Sequence, residues 1–138
     1  MASNGLKETI AAMERVKLAA KEAAMKQLIK GANNVADVQR QLAPEDTGAL
    51  ADSIAVTLPG HTTPPYSQPG GSRVVGENQV VVTAGNADVR YAHLVEHGTS
   101  QAEAQPFFFP GYRLLRDKVT RSTASAYGRA ARKEWNRK

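Results

Sequence analysis

The chain's 138 residues suit one domain, and its 27 Leu, Ile, Val and Phe residues beside 22 alanines predict a thin core. The absence of cysteine excludes a disulfide scaffold, a thiol nucleophile, an iron–sulfur cluster and a cysteine-type zinc site. The formal charge of +5 is unevenly spread, at +3 over residues 1–43, −5 over 44–112 and +7 over 113–138. The longest apolar runs, Val80–Val82 and Phe107–Phe109, fall far short of the roughly 20 residues a membrane span needs. Met1–Leu6 shows no basic segment followed by an apolar one, so the expectation is a chain made in a cytoplasm, with no membrane partner.

Leu6, Ile10, Met13, Val16, Ala20, Ala24 and Leu28 recur three or four residues apart, which predicts an amphipathic helix. The pattern resumes at Val35, Val38 and Leu42, with Gly31 and Asn33–Asn34 between. Either one helix tolerates the glycine at a cost of about 1 kcal/mol, or two helices meet there. Pro44 ends the pattern by pushing Ala43 out of helical geometry. In the turn that follows, Asp46 and Thr47 are candidate caps and Gly48 a candidate for positive φ. Leu50 and Ile54 anchor a short turn that leads into a strand at about Ser53–Leu58.

Residues 59–72 hold four of the seven prolines and three of the eleven glycines, so no helix or central strand survives there. The segment is expected to be a long flexible loop between strands, and the part around Tyr66 a partner-contacting arm that orders on assembly. Arg73–Val75 and Gln79–Ala84 flank Gly76-Glu77-Asn78 as an expected hairpin. Tyr91–His97 followed by Gly98 suits a short helix with Leu94 and Val95 facing inward. Pro106-Phe-Phe-Phe-Pro110 reads as a buried strand or extended plug, with Phe107 and Phe109 inward and Phe108 either free to meet a neighbouring chain or buried under a second covering element. Pro110 can open a last, basic helix carrying Leu115, Val119, Ser122, Ala126 and Ala130, whose end at 131–138 is expected to fray. The sum is an α+β domain over residues 1–138. It has a long N-terminal helix, an antiparallel sheet of about four strands, a short helix and a C-terminal basic helix.

His93-Leu-Val-Glu96-His97 matches H-x-x-E-H, in which two histidines one helical turn apart can hold zinc while the glutamate activates water. A third ligand is needed, and only Glu103, Asp117 and Glu134 follow; His61 lies in the proline loop. The competing reading gives Glu96 a structural hydrogen bond near a turn, and it is preferred, with no metal, cofactor or catalytic residue expected. The basic C-terminal segment, with Arg129, Arg132 and Lys133, supports an alternative function as a nucleic-acid-binding module.

Three blocks in order carry a resemblance: Ala43-Pro-Glu-Asp-Thr-Gly-Ala-Leu-Ala-Asp-Ser-Ile54, Tyr91-Ala-His-Leu-Val-Glu-His-Gly-Thr99 and Ala104-Gln-Pro-Phe-Phe-Phe-Pro110. With the alanine-rich first helix and the basic last one, the chain resembles tailed-bacteriophage neck and tail-completion proteins, akin to the lambda minor tail protein Z group, over roughly residues 5–130. The resemblance implies a non-enzymatic virion protein of the head–tail junction or tail end, assembled in the host cytoplasm. It also implies a homo-oligomeric ring touching neck, portal-adaptor, tail-tube or terminator proteins, with DNA in its lumen. The positions that match the family pattern are Pro44, Asp46, Thr47, Gly48, Ser53, Tyr91, Glu96, Gly98, Thr99, Pro106, Phe107 and Pro110, and the candidate interface residues are Tyr66, Phe108, Arg129, Arg132 and Lys133. Family members usually carry an aromatic or similar residue where His97 stands, and more often alanine at Gly111, which suggests a later start for the last helix.

Overall fold

A computed structural model describes residues 2–45 and 48–137. The N-terminal periodicity builds one uninterrupted helix, α1, over Ala2–Leu42. Gly31 does not break it, because Gly31 and Ala32 both lie on its buried face, where small residues let other chain segments approach. That face carries Ala32, Val35, Ala36, Gln39 and Ala43, whereas Leu42 is exposed. The expected stripe through Val38 and Leu42 is therefore rotated by about one position, and a glutamine sits at its centre.

The chain divides into two compact units, one of Met1–Leu28 with Lys118–Lys138, the other of Ile29–Asp117. The second holds the mixed α/β part. After α1 come α2 (Ala49–Asp52), β1 (Ala55–Thr57), β2 (Val81–Thr83), α3 (Ala92–His97) and α4 (Phe108–Trp135). Gly48 precedes α2 with φ 83°, the left-handed geometry expected of it. The core of this unit gathers Ala36, Ala43, Leu50, Ile54, Ala84, Val89, Ala92, Phe107 and Phe108, so four alanines are packed with two large rings.

The sheet has two strands among the described residues, not four: β1 pairs antiparallel with β2, with Val56 opposite Val82. The expected hairpin between 73–75 and 79–84 does not form. Arg73–Val75 turns back instead onto the proline segment, where Thr63 N–H donates to Arg73 O at 2.8 Å and Val75 N–H to His61 O at 2.9 Å. These contacts stay single bridges, Thr62 with Val74 and Gln68 with Ala84. Pro59, Pro64, Pro65 and Pro69 cannot donate to a ladder, so no longer strand can grow along this segment. The long loop nevertheless has its own internal order. Thr63 and Ser67 are buried, and the Thr63 hydroxyl donates to Gly71 O at 2.7 Å while accepting from Arg73 N–H at 2.8 Å.

The phenylalanine triplet is the other correction. It is no strand: α4 begins at Phe108, before Pro110 and before Gly111. Phe107 is in the core as expected, but helical spacing brings Phe108 in beside it and leaves Phe109 partly exposed, where an alternating strand would have exchanged these two. α4 then runs without interruption through the basic segment to Trp135.

Candidate functional site

The most specific polar arrangement in the Ile29–Asp117 unit is built on Glu96. α3 is a six-residue helix whose buried positions are Ala92 and Glu96, so Leu94 points outward, contrary to the expectation for it. Glu96 is 7% exposed, and its carboxylate faces the start of α4. Its Oε1 accepts N–H bonds from Phe107 at 2.9 Å and Phe108 at 2.8 Å, and Oε2 accepts one from Phe109 at 3.3 Å. The first turn of a helix leaves its N–H groups without intrahelical partners, and a carboxylate there also meets the positive end of the helix dipole. The next residue, Pro110, has no N–H to satisfy, and Gly111 N–H reaches Phe107 O at 3.3 Å. One glutamate and one proline thus complete the helix start.

Two further features hold that start in place. Gln39 Nε2 donates to Phe108 O at 2.7 Å, linking α1 to the same turn. Gly111 packs against the Gln39 backbone so closely that a Cβ there would lie 2.6 Å from Gln39 Cγ and 3.2 Å from its Cα. On the other side, Gly98 takes φ 79° and ψ 173°, and the chain folds back so that Gln105 N–H bonds Val95 O at 2.8 Å. Thr99 Oγ1 closes the intervening loop by accepting from Gln101 N–H at 3.2 Å and Ala102 N–H at 3.0 Å. Ser53 ties β2's exit to α2: its hydroxyl donates to Leu50 O at 2.6 Å and accepts from Gly85 N–H at 3.0 Å.

The H-x-x-E-H pattern is therefore resolved by what Glu96 does. Both of its oxygens are engaged by backbone amides, while His93 and His97 are exposed. A cavity of about 80 Å³ lies beside them, lined chiefly by His93, Glu96, His97 and the phenylalanines, which is room for water. No cluster of three or more His, Asp or Glu suited to a metal occurs among the described residues.

Tyr66 is half-exposed at φ 63°, with the Arg90 guanidinium 3.8 Å above its ring. Phe108 is buried within the chain's own core, so Phe109 is the ring that faces out. Tyr91 is exposed as the residue before α3, and Pro44 and Pro106 flank the helices they delimit. Asp46 and Thr47 lie outside the described residues. Arg129, Arg132 and Lys133 are exposed on α4. Sequence reasoning missed Gln39 and also Arg40, whose guanidinium donates to Ile54 O at 2.8 Å. The only available signal was a polar residue on an otherwise apolar helical stripe.

The Met1–Leu28/Lys118–Lys138 unit presents a different feature. Ala24 and Leu28 face Val119, Thr123, Ala124 and Tyr127 across an open apolar groove of about 490 Å³. Farther along, Arg15 meets Glu134 at 3.8 Å, one residue from the end of α4. Leu6, Ile10 and Met13 lie N-terminal to that contact and are 62%, 51% and 58% exposed. Their spacing makes one apolar stripe, for which this unit offers no covering element among the described residues.

A family model described as "Bacteriophage HK97-gp10, putative tail-component" matches residues 7–98. The chain belongs to this HK97 gp10-like family. The match takes in most of α1, the Ala43–Ile54 block and the Tyr91–Thr99 block as far as Gly98, two of the three blocks read from the sequence. A phage tail-related structural component of the virion is what membership of the HK97 gp10-like family indicates. Comparisons with curated proteins and with solved structures give no match. No helix of the described residues is long and apolar enough to cross a membrane.

Proposed function

We propose that this HK97 gp10-like chain is a ring-forming adaptor that completes the tail or joins it to the head, acting by assembly and without catalysis. The observation that carries the reading is the bare Leu6–Ile10–Met13 stripe on the family-matched helix α1. A monomer gains nothing from three large apolar side chains in water, whereas burying each against a neighbour contributes about 1.5–3 kcal/mol. A stripe that meets a different surface of the next subunit makes a heterologous contact, which closes into a ring when its rotation permits. The loop around Tyr66 is a second surface for neighbouring neck, portal-adaptor, tail-tube or terminator proteins, with DNA passing through the ring.

Native mass spectrometry of the purified full chain tests this. The expected result is a closed oligomer that Leu6→Glu/Ile10→Glu/Met13→Glu converts to monomer with helix content retained. A wild-type monomer, or an oligomer indifferent to the triple substitution, would count against it.

A further inference from the structure

We propose that an exposed ridge of basic side chains on α4 binds the phosphate backbone of duplex DNA. The ridge consists of Lys118, Arg121, Arg129 and Arg132, spaced three or four residues or a small multiple of a turn apart, with Ser125 and Asn136 on the same line. All six are exposed, and no acidic residue lies among them. Lys133 is one residue round the helix from Arg132 and stands beside the ridge rather than on it. The acid of this segment, Glu134, is largely covered and pairs with Arg15 and Arg137.

Three observations separate this ridge from an ordinary solvated helix face. Solvated faces mix charges, and α1 does so: Lys7, Glu14 and Lys21 share one line, and Glu8, Arg15 and Glu22 another. The α4 ridge is of one sign, and none of its four cations is in an ion pair among the described residues. Three of the four are arginines, whose planar fork suits phosphate oxygens. Finally, the side chains between the cations are small. Arg132's guanidinium lies 3.4 Å from where a Cβ on Gly128 would be, and Ser125 is an exposed hydroxyl donor of a kind used on phosphates.

From Lys118 to Arg132 the ridge is about 21 Å long at 1.5 Å per residue, close to the rise of six base pairs. A polyanion of continuous charge fits this better than the acidic middle of a second copy does. There Glu96 is buried, and Arg73 and Arg90 are interspersed among the acids. With phosphates as its ligands, the ridge is a sequence-independent contact. It goes beyond the adaptor reading, and its failure would leave that reading standing.

The test is binding of the full chain to a fluorescein-labelled 20-base-pair duplex, followed by anisotropy between 50 and 200 mM salt. Four phosphate contacts give a slope of log affinity on log salt of about −3 to −4, which is roughly a hundredfold loss over that range. Lys118→Gln/Arg121→Gln/Arg129→Gln/Arg132→Gln should abolish binding. Lys7→Gln/Lys17→Gln/Lys21→Gln/Lys26→Gln, with the same change in net charge, should leave most of it. Should the ridge variant lose its helix content by circular dichroism, Arg129→Gln/Arg132→Gln serves instead and should halve the slope. No binding at 50 mM salt, equal losses in the ridge and α1 variants, or a ridge variant that dissociates the oligomer yet binds DNA as before would overturn the proposal.

Discussion

Replacing Glu96 by alanine should lower the unfolding free energy by about 2–4 kcal/mol, the largest effect expected of any single carboxylate in the chain. The substitution removes the acceptor of three backbone N–H groups at a buried helix start, two of them at 2.9 and 2.8 Å. Hydrogen bonds to a charged partner are the stronger kind, and orphaned buried donors keep their full desolvation cost. The helix dipole adds to the loss, because the negative charge sits in line with the N-terminus of a 28-residue helix. Water admitted through the adjoining cavity of about 80 Å³ offsets part of it, which sets the range below a simple sum. Glu96→Gln keeps one carbonyl oxygen for the shorter pair and should cost about half as much. Urea unfolding with an unchanged slope measures both. An alanine variant within 0.5 kcal/mol of wild type, about what an exposed surface site gives, would contradict this assignment of Glu96.

A comparable loss, about 3 kcal/mol or more, is expected of Gly98→Ala, by an independent route. At φ 79° and ψ 173° this residue occupies a backbone region open essentially to glycine alone. Space is lacking as well as geometry. An added Cβ would lie 2.7 Å from Ala104 N and 3.1 Å from both Ala102 O and Ala104 Cα. These are backbone atoms of the loop that delivers Phe107 to Glu96, so the loop must move and the start of α4 with it. Hydrogen exchange reads this directly: in Gly98→Ala the Phe107 and Phe108 amides should lose protection more than those of β1 and β2. Uniform loss across the Ile29–Asp117 unit would mean that Gly98 contributes only to global stability.

These two residues show how far the sequence carries and where it stops. The long helix α1, the short α3 ending at Gly98 and the left-handed Gly48 are local, set by periodicity and by glycine at a sharp turn, and they are legible without coordinates. The rotation of the buried stripe onto Gln39 was not legible. Alanines flank the apolar residues on α1 so closely that its amphipathic direction is poorly defined, and the glutamine's partner lies 69 residues away. The phenylalanine triplet misled for the same reason. Read alone, two bracketing prolines and three β-favouring rings describe a strand; the carboxylate that makes them a helix start comes from another helix. Strand number was overestimated because Arg73–Val75 pairs with the proline segment rather than with the residues after its own turn. At Glu96 the sequence pattern did single out the right residue, while the chemistry it performs is set by tertiary structure.

In functional terms the same division holds. The sequence blocks point to the family, and the family match establishes it over residues 7–98. The exposed Leu6–Ile10–Met13 stripe, by contrast, belongs to the folded chain: the periodicity puts these residues on one face of a helix and does not say what covers that face.

The proposed role is a structural ring at one end of the phage tail. Electron cryomicroscopy of purified virions tests it most directly, by locating the chain and counting its copies. The expected result is a closed ring at the neck or tail end, with the Leu6–Ile10–Met13 stripe of each subunit buried against a neighbour. Virions that lack the chain, or carry it as isolated copies with that stripe in solvent, would contradict it.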